Sequence, residues 1–374
     1  MKFVISSAAL FNRLQSISRV INSKNTLPIL DCFLFEFQNN VLTITASDSE
    51  TTLITSLDVI ECDCDARFCI NAKTIQDSMK EIAEQPMTFD VNLDDMEITA
   101  NYQNGRFCIV GQNADEYPKF QVSDEEMSSV LLPSDDFLSG ISHCIFATGN
   151  DEIRQVMNGI YFDIYPDGIV FVATDGRKLV RIKNTAIRNN EHASFILPQK
   201  PATLLKNLLP KESNDVTLSF NSKNAIVNME STKLICRLIE GRYPNYNSVI
   251  PTQNPYRVTI DRQSFISTIK RILIFSSQSS ALIKLHLSEN QIIVSGQDLD
   301  YSTSAEEKLA CEYQGNEINI GFSGTFLLDI LNNMVGENVM IELADPSRAG
   351  VLVPVEQNEN EDMLMLLMPM MLND

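Results

Sequence analysis

Asp175 ends an apolar run and is followed by a glycine and two bases, in the stretch VATDGRKLV from Val172 to Val180. A carboxylate at a strand end beside Arg177 and Lys178 could serve as a general base or metal ligand, with the bases stabilising an anion. Other residues suited to catalysis are sparse. The three histidines, His143, His192 and His286, are far apart in sequence, which gives little support to a His-based triad or metal cluster. No phosphate-binding G-x-x-x-x-G-K-[ST] loop, dinucleotide G-x-G-x-x-G turn or G-x-S-x-G elbow occurs. Cys62, Cys64 and Cys69 lie close together, but no CxxC pair or nearby histidine completes a zinc set. The eight cysteines are scattered, many within apolar runs, where a reduced thiol acts as a small hydrophobe. No catalytic residue, metal site or cofactor is expected, and the cysteine usage suits a reducing cytoplasm.

The elements around Asp175 recur. CFLFEFQNNVLTITASD (Cys32 to Asp48), GIYFDIYPDGIVFVATD (Gly159 to Asp175) and LIKLHLSENQIIVSGQD (Leu282 to Asp298) share one length and one plan: apolar strand, turn, apolar strand, Asp. Alternation on both sides of a turn signals a hairpin. A helical pattern precedes each hairpin, starting near Ile5, Leu132 and Ile260, and a second helix follows near Asn71, Pro198 and Phe322. The first two copies close on a Tyr-Pro turn, at Tyr117-Pro118 and Tyr243-Pro244. The pattern predicts an α+β fold of three repeated domains, 1–122, 128–250 and 254–374, each an antiparallel sheet with two helices on one face. An Asp that recurs at one point of every copy is expected to close a turn by accepting local backbone N–H groups. Only the second copy follows it with Gly176-Arg177-Lys178-Leu179, and only the C-terminus carries the methionine-rich MLMLLMPMMLND. The break at Pro369 predicts that the last residues leave the sheet and lie exposed.

With 374 residues, 44% of them hydrophobic, the chain is too apolar for disorder. Its start lacks the apolar core of a signal peptide, and no apolar run approaches the roughly 20 residues of a membrane span, so no membrane partner is expected. A formal charge of −20 argues against nucleic acid until its placement is examined. The six predicted helices with their flanks hold eleven bases against six acids, Lys24, Lys73, Lys80, Lys200 and Lys206 among the bases. One positive face on an acidic body suits phosphate-level contact with a polyanion, and the lack of aromatics on that face disfavours base readout.

Together MKFVI, NTLPIL (Asn25 to Leu30), ATDGRKL (Ala173 to Leu179), EGRYPNY (Glu240 to Tyr246), IGFSGTFLLDIL (Ile320 to Leu331) and LMPMML (Leu367 to Leu372) resemble the bacterial DNA polymerase III beta subunit family of replicative sliding clamps along the whole chain. That resemblance implies a head-to-tail homodimeric ring that encircles duplex DNA without sequence preference and has no catalysis of its own. It implies tethering of the polymerase alpha subunit, the clamp loader, and other polymerases and repair proteins through a short apolar peptide motif. Its DNA-facing bases match Lys24, Lys73, Lys80 and Lys200 here, and Lys206 extends that set. Its partner-peptide cleft matches Met157, Thr174, Gly176, Arg177, Lys178, Leu179, Pro244, Ser248 and Val249 on one side. On the other side it matches Ser323, Phe326, Leu366, Met368, Pro369 and Met370. Its subunit contact matches Phe107 and Ile109 meeting Ile274 and Phe275 of a second copy. The chain departs from the family pattern in having the uncharged Met371 where many members place a base and the uncharged Ser248 where some do. It also has acidic Asp135 and Asp136 on a pore helix and an Asn373-Asp374 extension. Two alternatives differ in class: an acidic three-domain interaction scaffold that does not bind DNA, and a hydrolase using Asp175 with Arg177 or Lys178.

Overall fold

Residues 1–189 and 191–372 are described in a computed structural model of the chain, so the Asn373-Asp374 extension lies outside the described residues. The three hairpins form where the repeat predicts them: Cys32–Gln38 with Val41–Ser47, Gly159–Tyr165 with Gly168–Thr174, and Leu282–Ser288 with Gln291–Asp298. The first turns tightly because Asn39 and Asn40 both take left-handed backbone, at φ 52° and 61°, the conformation a two-residue hairpin demands.

Six helices stand among the described residues: α1 Ser7–Ile17, α2 Ala72–Lys80, α3 Ser134–Cys144, α4 Gln199–Leu208, α5 Arg262–Leu273 and α6 Gly324–Asn332. Several start directly from a strand whose last residue caps them. Ser6 Oγ accepts from Ala9 N at 3.3 Å, Asn71 Oδ1 from Thr74 N at 3.0 Å, and Asp261 Oδ1 from Ser264 N at 2.7 Å. Helical spacing decides which face is buried: Leu10, Leu14 and Ile17 on α1, Ile75 and Met79 on α2, and Phe265, Ile269 and Ile272 on α5. The exposed bases occupy the opposite stripe.

The strands of each repeat divide between two sheets, where the sequence unit predicts one. Among the described residues a five-stranded sheet belongs to the first repeat and a four-stranded sheet to the third. An eight-stranded sheet joins strands of the first and second repeats, through Thr51–Asp58 beside Thr232–Arg237. A nine-stranded sheet joins the second and third, through Lys178–Asn184 beside Glu361–Leu367. The cause is the edge: a half-sheet of about four strands leaves a row of unpaired N–H and C=O groups, and the neighbouring repeat supplies the missing partner.

Because those joins are continuous, proximity of the chain to itself yields two compact units that part within the second repeat. One comprises Met1–Ser134 with Thr203–Leu238, the other Asp135–Ala202 with the chain from Ile239 on. The first has Phe3 stacked on Phe89 at 4.8 Å and Phe35 on Phe68 at 5.7 Å in its core. In the second, Phe162 meets Phe171 edge-on at 5.0 Å and Phe195 face-on at 4.6 Å. Gly140 of α3 lies against that cluster, and a Cβ there would stand 2.6 Å from the Phe171 ring. Replacing a helical glycine with alanine ordinarily gains about 0.5–1 kcal/mol, but overpacking a full core costs about 1–3 kcal/mol and wins here. Gly140→Ala is therefore expected to lower the urea midpoint at unchanged slope; a raised midpoint would contradict this packing.

Candidate functional site

The turn after Thr174 is closed by its own side chains. Asp175 Oδ1 accepts from Arg177 N at 2.8 Å and Lys178 N at 2.9 Å. Thr174 Oγ1 donates to the Lys178 carbonyl at 2.7 Å and accepts from Gly176 N at 3.0 Å. Asp48 accepts from Glu50 N and Thr51 N in the same way, and Asp298 from Asp300 N and Tyr301 N. The recurrent aspartate is a turn closer, as its position in the repeat implies.

What differs in the second copy is the use of the bases. The Lys178 side chain is buried, with Nζ 3.3 Å from Asp175 Oδ2 and 3.4 Å from Asp329 Oδ2 of α6. It lies 4.5 Å from the centre of the Phe326 ring, and the Arg177 guanidinium approaches the same ring at 5.8 Å. Lys178 thus ties α6 to the turn, while Arg177 remains at the surface. Gly176 takes φ +87°, and Arg154 lies over it, paired with Asp151 at 2.8 Å.

The tail runs beside this turn. The strand Glu361–Leu367 pairs with Lys178–Asn184 over seven residues, Lys178 opposite Leu367. Beyond it Met368 N donates to the Arg177 carbonyl at 2.9 Å, and Met370 N to the Gly321 carbonyl at 2.8 Å. The tail leaves the sheet as the break at Pro369 predicts, but these two bonds hold its backbone in place. Two clefts flank it. One of about 590 Å³ is lined by Arg177, Ser323, Phe326, Met368, Pro369 and Met370, together with Gln278–Ala281 and Thr325. The other, of about 480 Å³, is lined by Ser248, Val249 and the chain to Gln253, by Ser347–Ala349, and again by Met368. Met368 is the partition between them. Apolar side chains at Phe326, Val249, Pro369 and the Met368 thioether alternate along the clefts with serines and the bases Arg177 and Arg348, a lining suited to an extended segment with apolar anchors.

The fifteen cleft residues named from sequence therefore fall into three sets. Arg177, Ser248, Val249, Ser323, Phe326, Met368, Pro369 and Met370 line the clefts. Thr174, Lys178, Leu179 and Leu366 are buried behind them, and Gly176 shapes the turn. Met157 and Pro244, half-buried, stand outside both linings. Sequence reasoning missed Arg154, the serine-rich Gln278–Ala281 segment and Ser347–Ala349. The run Ser276-Ser277-Gln278-Ser279-Ser280 was a loop signal, but nothing in the other two stretches marked them. Met371 is 83% exposed, and neither it nor Ser248 carries a charge, whereas Arg348 lines the same cleft as Ser248.

The remaining sites named from sequence lie at the surface. Lys24, Lys73, Lys80 and Lys206 are exposed and Lys200 is half-buried. Other helix bases are engaged in structure: Arg271 makes two bonds to Glu307, at 2.8 and 2.7 Å, and Arg262 donates to the carbonyls of Leu331 in the last turn of α6 and of Gly336 beyond it. Asp135 and Asp136 occupy the first turn of α3, where carboxylates favour the helix dipole. Phe107 and Ile109 lie half-buried on Gly105–Val110, the edge strand of the five-stranded sheet, while Ile274 and Phe275 are exposed after α5. Burial pushes the Cys69 thiol up to about 12, away from a metal-binding thiolate. Among the described residues no helix is long and apolar enough to cross a membrane.

Models of the N-terminal, central and C-terminal domains of the DNA polymerase III beta subunit match residues 1–121, 131–245 and 247–371 in turn. The chain belongs to the DNA polymerase III beta subunit family. It is 27% identical over 381 residues to the beta sliding clamp of Haemophilus influenzae, covering all of both chains. It is 26% identical to that of Synechocystis, covering 95% of this chain and 96% of the relative. The beta subunit of Pseudomonas aeruginosa superposes with a TM-score of 0.93 at 23% identity, and that of Thermotoga maritima with 0.91 at 22%, each over the full length of both chains. The fold is that of the sliding clamps, three repeats included.

The turn supplies a direct test of its geometry. At φ +87° a Cβ is strained by about 1–2 kcal/mol, whereas the contact it would make is only with the flexible end of Arg154. Gly176→Ala is expected to lower unfolding stability by about that amount, measured in urea, and to cost the same in an Arg154→Ala background. A cost that vanishes in that background would place the strain in the contact instead of the backbone.

Proposed function

We propose that this chain is the processivity clamp of a bacterial replicase. Two copies assemble head to tail into a ring that encircles duplex DNA and carries the polymerase along it, with no catalysis of its own. The observation that carries the reading is the match of all three repeats, in order, to the three beta-subunit domains. The boundaries 1–122, 128–250 and 254–374 are the corresponding domains. Closure of the ring is assigned to the edge strand bearing Phe107 and Ile109 on one copy and to Ile274 and Phe275 on the other, a two-fold set of contacts.

Lys24, Lys73, Lys80, Lys200 and Lys206 face the DNA through phosphates alone, which permits sliding, and the acidic remainder repels DNA from the outside. The polymerase alpha subunit, the clamp loader, and other polymerases and repair proteins dock a short apolar peptide across Met368. The protein acts in the cytoplasm, needs no cofactor, and Asp175 takes part in no reaction. Ser248 and Met371 themselves contribute no charge to peptide binding.

The decisive experiment is retention after loading by the clamp loader and ATP. The protein should remain on nicked circular DNA and be lost from linear duplex of the same sequence; equal loss from both would overturn encirclement. Lys73→Ala with Lys80→Ala should reduce the log–log salt slope of DNA association by about two. A chain ending at Leu367 should lose partner-peptide binding and keep its dimeric mass in solution. Loss of the dimer would make the tail a structural element first.

A further inference from the structure

Asp163 lies in the middle of the strand Gly159–Tyr165 and is only 4% exposed. A carboxylate so placed is tolerable only when hydrogen-bond donors replace its water. It has three: Tyr165 Oη at 2.6 Å and Tyr246 Oη at 3.0 Å on Oδ2, and His192 Nε2 at 2.9 Å on Oδ1. Burial and the nearby carboxylate raise the Tyr246 phenol above its usual range, and burial first, then Asp163, pushes Tyr165 up to about 12, so both stay protonated as donors.

The corresponding positions in the other hairpins are Glu36 and His286. Glu36 is half exposed, 3.8 Å from Arg67, and His286 is half-buried beside Asn319. Only in the second repeat is this position buried, and what it holds leads to the cleft. Tyr246 begins the short turn Tyr246–Val249, whose Ser248 and Val249 line the 480 Å³ cleft. Its ring belongs to the cluster of Tyr243, Leu179, Leu366 and Ala349, and Ala349 lines the same cleft. Packing fixes the ring, but the hydroxyl anchor fixes the direction in which the turn departs from it.

We infer that Asp163 is a positioning residue of the peptide-docking surface, holding the Ser248–Val249 wall in place through the Tyr246 hydroxyl. The inference rests on the docking function proposed for the clefts. Tyr165 and Tyr246 donate to the same oxygen, and only Tyr246 continues into the wall. Removing either hydroxyl deletes one bond to Asp163 and leaves an aromatic ring, so a purely structural role predicts the same behaviour for both variants.

The test compares Tyr246→Phe with Tyr165→Phe in the full-length dimer. The probe is a fluorescein-labelled apolar peptide, chosen as the tightest wild-type binder from a library tiling the alpha subunit of the same replicase. Affinity should fall about five- to tenfold in Tyr246→Phe, the loss of one net hydrogen bond, and stay within about twofold in Tyr165→Phe. Amide exchange at 247–250 should accelerate only in Tyr246→Phe. Parallel effects in the two variants, or none in either, would overturn the inference while leaving the docking reading intact. Failure of the wild type to bind any peptide would overturn the docking reading, and this inference with it.

Discussion

The ladder between Lys178–Asn184 and Glu361–Leu367 is the constraint on which the rest depends. Seven paired residues remove two sheet edges at once, which no side-chain contact at that seam could replace. The register also decides what meets at its end. With Lys178 opposite Leu367, the turn carrying Gly176 and Arg177 must arrive beside the first residue of the tail, and the bond from Met368 N to the Arg177 carbonyl extends the ladder by one step. Slipping the pairing by one residue would exchange the faces of Leu366 and Met365 and take Leu366 away from Leu179 and the Tyr246 cluster. The cleft follows from a strand register, and its residues need only be the right shape where the backbone delivers them.

Electrostatics act on top of that frame, unevenly. Lys178 is buried and spends its charge on Asp175, Asp329 and the Phe326 ring, so it braces the cleft from behind. Arg271 and Arg262 are likewise committed to Glu307 and to carbonyls at the C-terminal end of α6. The positive surplus of the helices is therefore smaller in effect than the count of bases suggests, and it rests mainly on exposed lysines. A weak, diffuse positive lining is what sliding requires, since tight contacts to individual phosphates would stall it.

Much of this was legible in the sequence because the repeat supplies its own control. Asp175 looked like a catalytic group in isolation, and its counterparts Asp48 and Asp298 identified it as a turn closer; all three make the same pair of backbone bonds. Helix positions and hairpins followed from periodicity and capping residues. The joining of sheets across repeats was not legible, because edge pairing leaves no local pattern: Thr232–Arg237 and Lys178–Asn184 read as ordinary strands whichever neighbour they take. Exposure was equally hidden. Arg177 and Lys178 are adjacent and chemically alike, yet Arg177 lies in the exposed turn and Lys178 is the first residue of the buried strand, a boundary that the sequence does not mark. Ser347–Ala349 and Arg154 reach the site through loops that carry no periodic signal.

The central claim is a closed ring made by two copies of three similar domains. Electron-microscope projection images of the purified protein test it most directly. The account predicts a six-lobed closed annulus with an open centre and two-fold symmetry. A compact particle without a central hole, or an open three-lobed arc at concentrations where the protein is functional, would contradict it.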